Sequence, residues 1–158
     1  MTDKTFTVLS IEDNKPDFLL LEKALNSIEN VSLNIINVIN GKEALDFMYK
    51  KGEYKSAPVP DMIILDINLP LVDGKEVLKR LKKDEIYRII PIIIFSTSSS
   101  YPDIEESYKL YANSYITKTF DVKELFKKIT IMGEYWLKNN ESPVLNNFYF
   151  VQENKEKE

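Results

Sequence analysis

The chain has 158 residues, 44% of them hydrophobic, enough for one domain with a real core. A net charge of −4 gives no general electrostatic case for nucleic acid or an anionic membrane surface. With no cysteine and no histidine, disulfides, thiolate or histidine-ligated zinc, Ser-His and Cys-His catalysis and a histidine phosphodonor are all excluded.

In chain order, Phe6 to Ile11 (FTVLSI) reads as a short buried strand. Asn14, Pro16 and Asp17 mark a helix start, and Phe18, Leu21, Leu25 and Ile28 recur at helical spacing over about four turns. Leu33 to Ile39 is a second strand. Asn40, with Glu43 three residues later, resembles a capping box that opens a helix through Tyr49. Residues 51–60, with Gly and two Pro, are loop, and Asp61 to Leu65 is a third strand. A third helix runs from Gly74 to Asp84 with Val77, Leu78 and Leu81 inward. Ile90 to Phe95 is the fourth strand, residues 102–112 a helix, and Ser114 to Thr117 a short fifth strand. Asp121 caps a long last helix carrying Leu125, Ile129, Met132 and Trp136. The MTDKTF start shows no secretory pattern, and IIPIIIF (89–95) is the longest apolar run, so a cytoplasmic domain is expected.

Strand and helix alternate five times, and the strands are rich in Ile and Val. That pattern predicts an α/β fold: an open, doubly wound, five-stranded parallel sheet between two layers of helices. In such sheets the cleft lies outside the carboxyl ends of the strands. There the sequence places Glu12 and Asp13 after the first strand, Asp66 after the third, Ser96 after the fourth and Lys118 after the fifth.

Carboxylates this close repel, by about 4 kcal/mol for a pair at 4 Å and an effective dielectric near 20. A hard divalent cation relieves that, and an all-oxygen, histidine-free set favours Mg²⁺ over zinc. A carboxylate held this way can attack phosphorus and form an aspartyl phosphate. Lys118 would then neutralise phosphoryl oxygens and Ser96 would donate to one of them. Each residue alone has an ordinary reading: Asp13 as a helix cap, Asp66 as a turn residue, Lys118 as a surface lysine. The set at one sheet edge is what points to phosphoryl transfer.

The sequence resembles the receiver domain of two-component response regulators over roughly residues 5–138. The resemblance rests on the acidic pair Glu12-Asp13, LDINLPLVDG around Asp66, IIIFSTS with Ser96, and SYITKTF with Lys118. INLPLVDG, the long loop before the third strand and EYWL in an extended last helix are similar to the stand-alone regulators that partner bacterial phytochrome histidine kinases.

The resemblance implies a flavodoxin-like strand order 2-1-3-4-5 and a phosphoacceptor at Asp66. It implies Mg²⁺ on Glu12, Asp13, Asp66 and the backbone carbonyl of Asn68, with Ser96 and Tyr115 as switch residues. The implied partner is a sensor histidine kinase, with no nucleic acid and no membrane, and a homodimer through the helix 4–strand 5–helix 5 face. Residues 5–140 are then the receiver domain and 141–158 a partly disordered C-terminal extension, in which NFYFV (147–151) is an apolar patch.

One departure stands out: where the family has a cis proline after the lysine, this chain has Thr119, so a trans bond with a shifted loop or a strained one is expected. Two competitors remain. One is a phosphorylation-independent interaction module with the same fold, which predicts no Mg²⁺-dependent modification. The other is a phosphatase or transferase using aspartate as nucleophile, for which the haloacid-type pattern needs a second Asp where this chain has Asn68; Gly-rich phosphate loops are excluded by the four scattered glycines.

Overall fold

A computed structural model describes residues 4–143. Its strands are β1 (Thr5–Ile11), β2 (Ser32–Val38), β3 (Met62–Leu65), β4 (Ile92–Ser96) and β5 (Ser114–Thr117). They pair in parallel in the order β2-β1-β3-β4-β5. The helices are α1 (Lys15–Asn26), α2 (Gly41–Met48), α3 (Gly74–Lys83), α4 (Tyr101–Lys109) and α5 (Val122–Glu134).

The sheet separates two cores, and strand alternation assigns side chains to them. Leu9, Ile11, Ile63, Leu65, Ile92 and Ile94 pack with Ala44 and Phe47 of α2 and Val77, Leu78 and Leu81 of α3. Val8, Met62, Ile64, Ile93 and Phe95 pack on the opposite face with Leu21 and Leu25 of α1 and Leu125, Ile129 and Met132 of α5. β3 and the Ile92–Phe95 stretch of β4 are apolar on both sides because helices cover both, and β1 is buried on both sides from Val8 to Ile11 with Ser10 the one polar residue there. The outer strands β2 and β5 are only partly covered, and their burial falls accordingly.

Several boundaries depart from the sequence reading. α1 stops at Asn26, about three turns, while Ile28 still reaches the core from the following turn. Asp61 stands outside β3; its carboxylate accepts from the Thr7 N–H at 2.9 Å and pairs with Lys4 at 3.1 Å. β4 begins after Pro91, and α4 runs from Tyr101 to Lys109, ending before Tyr111 takes a positive φ of 69°. A short 3₁₀ turn, Gly52–Tyr54, lies inside the loop before β3. The last helix ends at Glu134 and continues as one wider π turn, Tyr135–Asn139. The Asn40 side chain accepts from the Glu43 N–H at 2.8 Å, while Glu43 reaches back to the N–H of Ile39. NFYFV lies outside the described residues.

Candidate functional site

Each site side chain leaves from a strand end that the backbone ladder holds. The Glu12 N–H donates to the Val38 carbonyl (2.9 Å), the Asp66 N–H to the Ile11 carbonyl (3.1 Å), and the Lys118 N–H to the Ser96 carbonyl (2.7 Å). Asn37 of β2 adds a side-chain hydrogen bond to the Glu12 carbonyl at 3.1 Å. The loop after Asp66 is closed by the Asn68 N–H, which donates to Asp66 Oδ1 at 3.0 Å. Gly74 completes it: any Cβ there would run into the Asp66 carbonyl and the Ile67 Cα, so only glycine lets α3 start this close beneath the loop.

Lys118 is the centre of the site. Its ammonium donates to Glu12 Oε1 at 2.6 Å, Asp17 Oδ2 at 2.8 Å and Asp66 Oδ2 at 3.1 Å, and lies 5.1 Å from the centroid of the Phe95 ring. Glu12, Asp66 and Lys118 are all buried, whereas Asp13 is exposed at the mouth. Burial pushes the Glu12 carboxyl up to about 8, against the pull of the Lys118 ammonium and helped by Asp66. Burial alone would lower the Lys118 amine, but the hydrogen bonds it donates to Asp17 and Glu12 reverse this and hold it above its ordinary range.

The described residues have no cis peptide bond, so Lys118–Thr119 is trans. Of the two outcomes expected for Thr119 this is the trans one, and Lys118 still reaches Asp66 with that backbone.

Oxygens of Glu12, Asp13 and Asp66 lie within 4.8 Å of one another. Glu12 Oε2 is buried and has no hydrogen-bond partner among the described residues. A buried carboxylate oxygen without a donor is costly unless a cation faces it. The donor set is all oxygen, so these residues fit a hard divalent ion with room for waters on the exposed Asp13 side.

Ser96 and Tyr115 belong to a neighbouring hydrogen-bonded group. The Ser96 hydroxyl is fully buried and accepts from the Ser98 N–H at 3.2 Å. The half-buried Tyr115 hydroxyl donates to the Ser98 carbonyl at 2.7 Å. Burial raises the Tyr115 phenol, with Ser98 and Ser96 opposing. Ser98 Oγ donates to Asp103 at 2.5 Å, and Asp103 accepts from Lys75 of α3 at 2.7 Å. The start of α4 is thereby tied to both β4 and α3.

Asp17 and Asn37 were missed in the sequence. An acid in a first helical turn and a polar residue on an outer strand are both commonplace, and no spacing rule marks either. Asn68 is exposed at the mouth and contributes its N–H to Asp66.

The model for the response regulator receiver domain matches residues 8–130. The chain belongs to the response regulator receiver family.

Response regulator Rcp1 of Synechocystis sp. (strain ATCC 27184 / PCC 6803 / Kazusa) is 35% identical over 130 residues, 82% of this chain and 88% of Rcp1. The crystal structure of the phosphorylated cyanobacterial phytochrome response regulator RcpA superposes with a TM-score of 0.86 at 38% identity, covering 89% of this chain and 100% of RcpA. The Mn²⁺-bound form of Rcp1 gives 0.85 at 34% identity, covering 88% and 99%. The receiver fold and strand order expected from the sequence are those observed. As a response regulator receiver the chain is a signalling protein. Rcp1, to which it is similar, has been crystallised in an Mn²⁺-bound form. No described helix is long and apolar enough to cross a membrane.

Proposed function

We propose that this receiver is switched by Mg²⁺-dependent phosphorylation of Asp66, with a phytochrome-type sensor histidine kinase as the donor. The observation that carries this reading is the Lys118 ammonium, 3.1 Å from Asp66 Oδ2, beside an acid cluster with a buried, unpartnered Glu12 oxygen. Glu12, Asp13, Asp66 and the Asn68 carbonyl would hold the ion. When bound, the ion supplies positive charge for the incoming phosphoryl oxygens.

The chain's own residues supply the rest. Asp66 Oδ attacks phosphorus in line with the leaving group. Lys118 carries a full charge and balances the oxygens gathered on phosphorus. Ser96, once it releases Ser98, donates to a phosphoryl oxygen. Tyr115 then follows the vacated space, and the loop before α4 shifts with it. The same carboxylates and lysine support hydrolysis of the acyl phosphate, so the chain catalyses only its own phosphorylation and dephosphorylation. The likeness to RcpA, a cyanobacterial phytochrome response regulator, supports the choice of kinase.

Residues 5–140 act as the receiver unit, followed by an extension at 141–158. The output face is that of α4, β5 and α5. It carries a groove of about 500 Å³ lined by Tyr115, Ile116, Ile131, Met132, Tyr135 and Trp136, suited to a homodimer contact.

Intact mass after incubation with acetyl phosphate and Mg²⁺ tests the reading. One phosphoryl group is expected on the wild type and none on Asp66→Asn or with EDTA. No gain by a folded, Mg²⁺-loaded protein would favour the phosphorylation-independent module. Sedimentation with and without phosphorylation tests the dimer, which a monomer in both states at micromolar concentration would remove.

A further inference from the structure

Asp17 lies outside the metal-ligand cluster, yet it holds the central cation of the site. Its carboxylate is not needed as a helix cap, because Asn14 already accepts the Asp17 N–H at 3.0 Å. Asp17 Oδ2 instead accepts from Lys118 at 2.8 Å, nearer than the 3.1 Å from Lys118 to Asp66.

A lysine ammonium has three donors on a flexible four-carbon stem. Here all three are engaged, by Glu12, Asp17 and Asp66. Two of those acceptors have other work in the proposed reaction: Glu12 faces the cation and Asp66 becomes the acyl phosphate. Asp17 alone of the three has no part in holding the ion or in taking the phosphoryl group, so its carboxylate is left to hold the lysine. The backbone hydrogen bond to Ser96 fixes the Lys118 Cα but not the end of its stem.

We infer that Asp17 is a positioning residue that holds the Lys118 ammonium at the Asp66 edge of the pocket, and that this hold sets how fast Asp66 accepts a phosphoryl group. The inference rests on the receiver reading above. It acts by limiting the ammonium's excursions before the phosphoryl group arrives, which is worth about tenfold in rate for one charge-assisted hydrogen bond.

The test measures the rate of Asp66 phosphorylation at saturating acetyl phosphate and Mg²⁺ in the wild type, Asp17→Ala, Asp17→Glu, Lys118→Ala and the Asp17→Ala/Lys118→Ala double variant. Asp17→Ala should be slower by about tenfold, with Asp17→Glu recovering most of the loss. On the Lys118→Ala background, Asp17→Ala should cost nothing further, because its effect passes through the lysine.

An independent readout comes from the metal-free, ¹⁵N-lysine-labelled protein. Its Lys118 ammonium signal, assigned by its loss in Lys118→Ala, should broaden or vanish in Asp17→Ala and persist in Asp17→Glu. Wild-type rates in Asp17→Ala, an equal loss on the Lys118→Ala background, or an unchanged ammonium signal would each overturn the role of Asp17. If the wild type itself takes no phosphoryl group, the receiver reading fails and the inference goes with it.

Discussion

The hydroxyl of Tyr115 on β5 donates to the backbone carbonyl of Ser98, 2.7 Å away in the loop after β4. That single bond makes the position of the loop depend on the rotamer of a half-buried ring. Ser98 also bonds Asp103 at the start of α4, so ring, loop and helix form one connected unit. Removing the hydroxyl with Tyr115→Phe should cost about 1 kcal/mol, typical of one hydrogen bond in this setting. For a domain of this size that is a fall in Tm of about 2–4 °C, read from a thermal melt. Phosphorylation of Asp66 should survive, since the hydroxyl bonds Ser98 and not the carboxylates.

Gly74→Ala should be far more damaging than the same change at the start of an exposed helix, because Gly74 is buried. The added methyl would meet the Asp66 carbonyl and the Ile67 backbone, which cannot yield as a flexible side chain would. A loss of about 1–3 kcal/mol is expected, together with a displaced Asp66. A melt and the acetyl phosphate reaction on the same sample check both.

Mg²⁺ should stabilise the fold, because it neutralises a carboxylate cluster that burial already strains. At about a hundredfold excess over its dissociation constant the gain should be about 2.7 kcal/mol, visible as a raised Tm that EDTA reverses. Asp13→Asn should shrink that rise by weakening the ion, while leaving the Tm of the metal-free protein near or above that of the wild type. A full Mg²⁺ response in Asp13→Asn would remove Asp13 from the ligand set.

A pH prediction follows from the tie between α3 and α4. Lys75 first, then Ser98, lowers the Asp103 carboxyl from 3.8 to about 2. A group depressed in the folded state stabilises it above the unfolded pKa, and that contribution is lost as pH falls through the folded value. The stability gap between wild type and Asp103→Asn should therefore be full above about pH 4 and close toward pH 2. Urea melts across that range, compared between the two proteins, give the gap directly.

The parts of this molecule that were legible in the sequence are those with a strong period or a hard chemical requirement. β5 was placed to the residue, and Val77, Leu78 and Leu81 were assigned inward correctly, because apolar spacing follows from burial. Ile28 shows the limit of that signal: periodicity foretold that it is buried but not that the helix ends before it. That Asp66 and Lys118 meet was legible because strand ends converge whatever the details of the loops. The contact of Asp17 with Lys118 was not, because the lysine lies 101 residues away and no spacing links the two. The wide turn at Tyr135–Asn139 was read as plain helix, since its side chains keep nearly helical spacing.

The two-sided packing of β4 has a consequence for how this sequence tolerates change. Ile92 and Ile94 face one core, and Ile93 and Phe95 the other. Ser96 closes the strand two residues beyond Ile94, and the ring of Phe95 lies near the Lys118 ammonium. A single-residue insertion in Ile92–Phe95 that keeps the strand's start in register would send every residue beyond it to the opposite core and turn the Ser96 hydroxyl away from its side of the sheet. The strand thus works as a counter of odd and even. Substitutions within it are graded in their effect, whereas a change of length by one is all or nothing for packing and chemistry together.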